Sequence, residues 1–109
     1  MSDSTSPGTT EHHVSPADIR NLLAGEGGVD LRPIIKHGKQ VAMRVVGVTP
    51  GTTAARLGAQ NDDSIESINE MPMTSVTAAY KAGDVAVRER RIVIRGERAG
   101  EAYVTVLVL

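Results

Sequence analysis

Few residues in this 109-residue chain could do chemistry. There is no cysteine, which excludes a thiol nucleophile and a disulfide framework. His12 and His13 are neighbours near the N-terminus and His37 stands before Gly38, and neither place shows metal-ligand spacing. The serines have no Gly-x-Ser-x-Gly setting and no triad partner. Asp62 and Asp63 are adjacent acids in a turn, without further ligands at calcium-loop spacing, so they read as capping and solvated residues rather than a metal pair. No glycine-rich phosphate loop is present. Arg88-Glu89-Arg90-Arg91 is a charged connector without an aromatic platform, in a chain of 12 Lys plus Arg against 13 Asp plus Glu. That near balance gives no overall field for a polyanion and argues against nucleic acid. The sequence therefore predicts a binding module, with no catalytic residue, no metal site and no cofactor.

The elements that position such a module centre on Gly47 to Glu70. Pro50-Gly51 suits a turn, because proline presets φ at the first central position and glycine accepts positive φ at the second. Thr52 or Thr53 caps a brief helix over Ala54, Ala55 and Leu57, which Gly58 ends in the left-handed conformation. Ile65 and Ile68 then fit a strand only if it bends or bulges before Asn69-Glu70.

This stretch resembles the heart of a PDZ domain, where Pro-Gly-Ser-x-Ala-x-x-x-Gly-Leu-x-x-Gly-Asp-x-Ile-x-x-Ile-Asn-Gly is typical of bacterial members. Around it, Arg32-Pro33 before a Gly38-Lys39 turn, Met43 to Val48, Met73-Thr74-Ser75 and a terminal hairpin look most like general secretion pathway protein C, an inner-membrane component of the type II secretion system. The likeness runs from about Leu31 to the C-terminus. It departs at Asp62, Glu70 and Ala42, where the family pattern has glycine. If Asn69-Glu70 keeps the family turn, Glu70 carries about 1 kcal/mol of backbone strain.

The resemblance implies an α+β, PDZ-like small β-sandwich or partly open barrel of about five strands with two helices, plus a short N-terminal helix. Residues 1–13 are expected to be a disordered tail or linker, rich in Ser, Thr, Pro and Gly over its first ten residues. Residues 14–25 form the amphipathic helix, since Ser15-Pro16-Ala17-Asp18 gives a cap, a first-turn proline and an acid, with Ile19, Leu22 and Leu23 at helical spacing. Its apolar stripe must dock on the domain or on a partner. Residues 29–109 are the PDZ-like domain. Strands are expected over Val29 to Lys36, Val41 to Val48, Ile92 to Ile94 and Tyr103 to Leu109, the last two joined through Gly96 to Gly100. A longer helix from about Val76 to Val87 follows the cap at Thr74-Ser75, unless Gly83 stops it. With aromatics at 2%, aliphatic side chains must build the core.

In PDZ domains a peptide adds as a strand in a groove beside a helix. The likeness puts the peptide-binding residues at Gln40, Val41, Ala42, Met43, Arg44 and Val45 on the second strand and at Val76 and Tyr80 on the long helix. Tyr80 reads equally as a core-edge residue with its hydroxyl in water. Lys36, His37, Lys39 and Arg44 either favour an anionic ligand or are ordinary solvated turn residues. The implied partners are a secreted substrate or another secretion-system component, with a weak homo-oligomer as a further expectation. No apolar run approaches the ~20 residues of a membrane helix, so these residues are expected to be soluble and, within a full secretion protein, at the periplasmic face of the inner membrane. The alternative is a regulatory PDZ module of an envelope serine protease of the high-temperature-requirement class.

Overall fold

A computed structural model describes residues 9–23 and 28–109, without the side chains at Leu22, Leu23, Val76, Ala79, Tyr80, Ala86 and Val87. Strand β1 (Thr9–His13) leads into α1 (Pro16–Leu23), then β2 (Asp30–Lys36) and β3 (Lys39–Val46). The short α2 (Thr53–Arg56) follows, then three two-residue strands, β4 (Ser64–Ile65), β5 (Ser67–Ile68) and β6 (Met71–Pro72). Helix α3 (Val76–Glu89) and the hairpin of β7 (Arg91–Arg98) and β8 (Glu101–Val108) complete the chain. The fold is α+β and PDZ-like, with two sheets in the orders β1-β8-β7-β5-β6 and β2-β3-β4. Among the described residues eight strands stand where about five were expected, because the bent segment after Asp63 splits into strands of two residues and Thr9–His13 adds a further strand.

That extra strand corrects the expected tail. Thr9–His13 pairs in parallel with Val104–Val108, continued by the Val14 amide donating to the Val108 carbonyl at 2.8 Å. The pairing supplies partners for the outer edge of β8, which a strand with buried Val106 and Leu107 would otherwise leave bare. The expected tail over 1–8 and the helix end near Gly25 lie outside the described residues.

Helix α1 begins as its cap dictates: the Asp18 amide donates to Ser15 Oγ at 3.2 Å, and the Ser15 amide to Asp18 Oδ2 at 3.1 Å. Ile19 of its stripe packs on the domain, buried among Val14, Leu57, Ile92 and Leu107. A second core cluster joins Met43 of β3, Met73 and Ala82 of α3. Ala82 and Gly83 are both buried, and the helix continues past Gly83 to Glu89.

The turns follow their residues. His37 and Gly38, at φ 53° and 75°, make the two-residue connection between β2 and β3. Ala99 and Gly100 do the same between β7 and β8 at 53° and 82°. The connection is thus shorter than Gly96 to Gly100, and Gly96 lies inside β7, where a Cβ would collide with the Ser64 carbonyl. Asn69 and Glu70, at 48° and 68°, keep left-handed backbone without glycine. Asn69 is held by accepting from the Val93 amide at 2.7 Å and donating to the Arg91 carbonyl at 2.9 Å.

Candidate functional site

Two features meet beside β2. The first is an open sheet edge, because among the described residues β2 ends the three-stranded sheet and pairs only with β3. The second is a cavity of about 180 Å³ between the sheets. Leu31 of β2, Val45 of β3, Leu57 after α2, Gly83 of α3, and Ile92 and Leu107 of the larger sheet wall it. Leu31 is 38% exposed yet lines the cavity, so the cavity reaches the surface next to the open edge. An apolar side chain or aliphatic tail entering it would take its apolar walls out of water.

The cavity has one polar wall, made of Asp63, Arg98 and Tyr103. Asp63 is 2% exposed and accepts two hydrogen bonds from Arg98, from Nε to Oδ1 and from Nη2 to Oδ2, each at 2.8 Å. The Gln60 amide also donates to Asp63 at 3.0 Å, and Arg98 donates to the Gly58 carbonyl at 3.1 Å. The guanidinium lies 4.8 Å from the Tyr103 ring centroid. Tyr103 donates to the Ser64 carbonyl at 2.8 Å, and burial, followed by the nearby Asp63 charge, pushes its pKa up to about 12. These groups satisfy one another, which makes them a structural clasp rather than a nucleophile or an acid–base pair.

The residues expected on the second strand need correction. β3 is interior: β2 pairs with its whole length on one side, while Met43 and Arg44 pair with β4 on the other. The Val45 amide donates to the Asp63 carbonyl, and the Asp62 amide to the Val45 carbonyl, each at 2.8 Å. No partner strand can add along Met43–Val46, since both edges are taken by the chain itself. Gln40 is spent inside the domain, donating to Met43 Sδ and to the Met73 carbonyl, each at 3.1 Å. Ala42, Met43 and Val45 are buried, whereas Val41 and Arg44 are exposed. Of the six, only Val45 lines the cavity. Val76 opens α3 and Tyr80 stands one turn on, but their side chains lie outside the description. Leu31 of β2, which lines the cavity, is not among the residues expected at the site, although Pro33 marks its strand as one at an edge or with a bulge.

A two-sheet arrangement with an open strand edge and a long helix beside an apolar cavity is the PDZ fold, the class of domain that the resemblance implied. Among solved structures the chain is similar to the PDZ domain of EpsC from Vibrio cholerae, at 17% identity and a TM-score of 0.65, covering 85% of this chain and 89% of that one. A second EpsC PDZ structure gives 16% identity and a TM-score of 0.59, covering 76% and 95%. The PDZ domain of the pullulanase C protein of the type II secretion system from Klebsiella pneumoniae, solved in complex with fatty acid, gives 19% and 0.60, covering 83% and 90%. No protein-family model and no curated protein matches the sequence. PDZ domains as a class are interaction modules rather than enzymes, and no helix among the described residues is long and apolar enough to cross a membrane.

Proposed function

We propose that this chain is the interaction module of a type II secretion system component at the periplasmic face of the inner membrane. It receives an extended segment of a secreted substrate or of another component as a strand added to β2. One apolar side chain of that segment enters the cavity between β2 and α3. The observation that carries this is the open edge of β2 beside an apolar cavity, since backbone pairing supplies affinity and the pocket supplies selectivity. The larger sheet also has end strands, but β6 is two residues long and β1 lines no part of the cavity. The secretion origin of the pullulanase C neighbour favours this reading over a protease-regulating module. Titrating isotope-labelled protein with a peptide ending in aliphatic residues tests it. Amide shifts at Leu31 to Ile35 are expected, and shifts confined to β1 or β6 would overturn it.

A second ligand class has its own support. The cavity is apolar apart from one wall, and the pullulanase C neighbour was solved with fatty acid. An aliphatic chain of suitable length would compete with the peptide side chain for the same space.

A further inference from the structure

The hairpin of β2 and β3 is electrostatically set apart from the rest of the chain. Residues 30–46 hold four of the 12 basic residues and one of the 13 acids, giving them net +3 and the remainder −4. The register sharpens this, since Arg32 stands directly opposite Arg44 and Lys36 directly opposite Lys39. Arg32, Ile34 and Lys36 alternate onto one face of β2, away from Leu31, Pro33 and Ile35. All four cations are exposed. Of these four, only Arg32 has an ion pair among the described residues, with the likewise exposed Asp30. Directly opposed like charges disfavour strand pairing, so the hairpin keeps an arrangement that costs stability.

Resting on strand addition at β2, we infer that the incoming segment alternates aliphatic and acidic residues. A strand laid on β2 turns alternate side chains to the two faces of the sheet. Those on the Leu31 face meet the cavity, and those on the other face lie beside Arg32 and Lys36, with Arg44 and Lys39 one strand further. Carboxylates there complete a cross-strand pattern that the hairpin alone leaves repulsive.

The test uses three C-terminally amidated octapeptides, alternating valine with glutamate, glutamine or lysine, titrated at low salt into the protein and into an R32E/K36E double variant. The variant places acids opposite Arg44 and Lys39 while removing only the exposed Arg32–Asp30 pair, so its Tm should change little. The inference expects the glutamate peptide to bind roughly tenfold tighter than the glutamine peptide, with β2 amides shifting, and this preference to vanish with salt. In the variant the preference should pass to the lysine peptide. Equal binding of the glutamate and glutamine peptides at β2 overturns the acidic preference while leaving strand addition intact. Failure of every peptide to shift β2 overturns both. Binding of phosphatidylglycerol vesicles that is lost in the variant, with no peptide bound, would make the hairpin a membrane-facing surface and also overturn the inference.

Discussion

At the scale of single residues, the structure turns on an acid and a base 35 positions apart. Asp63 is nearly sealed from water, and a carboxylate there is tolerable only because Arg98 meets it through two bonds and the Gln60 amide adds a third. Replacing Arg98 by methionine would keep much of the side-chain volume and strand the charge. The expected outcome in a denaturant titration is a loss of about 3 kcal/mol. A loss below about 0.5 kcal/mol, the level of an exposed pair, would contradict this account. In the sequence Asp63 reads as a turn residue beside Asp62, and nothing local announces a partner so far along the chain. Asp62 and Glu70 were legible through the resemblance, whose pattern has glycine at both places, and both adopt positive φ, at 71° and 68°.

Elements were legible where local physics decides them. The Ser15 and Asp18 cap and the helix after Ser75 each depend on neighbours within four residues and formed as expected, whereas the turn before β3 closes at His37-Gly38, with Lys39 and Gln40, expected in or beside it, already in the strand. Elements decided by distant pairing were not. Ile65 and Ile68 do bend apart, yet only the fold makes them β4 and β5 of different sheets, with Glu66 between, its amide donating to the Arg95 carbonyl at 2.8 Å. The same limit governs the candidate site. Periodicity identifies β2 and β3 as strands but does not say which lies outside, and the resemblance placed the groove on β3. Pro33 removes a donor, and the register shift between Ile34 and Ile35 bends the hairpin, both suited to an edge. β1 escaped for a related reason, since Thr-Thr-Glu-His-His has no apolar alternation and becomes a strand only because β8 offers it an edge.

For the whole molecule, the two sheets and α3 enclose more space than they fill, and the polar clasp at one wall ties that space to stability. The Tyr103 hydroxyl is held neutral by burial, with a pKa near 12 against about 10 for a free tyrosine. A proton bound more tightly in the folded than in the unfolded state makes a contribution that is complete below pH 10 and disappears as pH climbs toward 12. Tyr103→Phe forfeits the hydrogen bond to the Ser64 carbonyl, so at pH 8 it should be less stable by about 1 kcal/mol. That deficit should close between pH 10 and 12 in paired denaturation curves, and a constant gap would show that Tyr103 does not titrate with folding. The central claim, that β2 is the receiving edge, is tested most directly by amide hydrogen exchange with and without a bound partner segment. Slowed exchange at outward-facing amides within Asp30–Lys36 is the predicted result, and unchanged exchange there with protection gained elsewhere would contradict it.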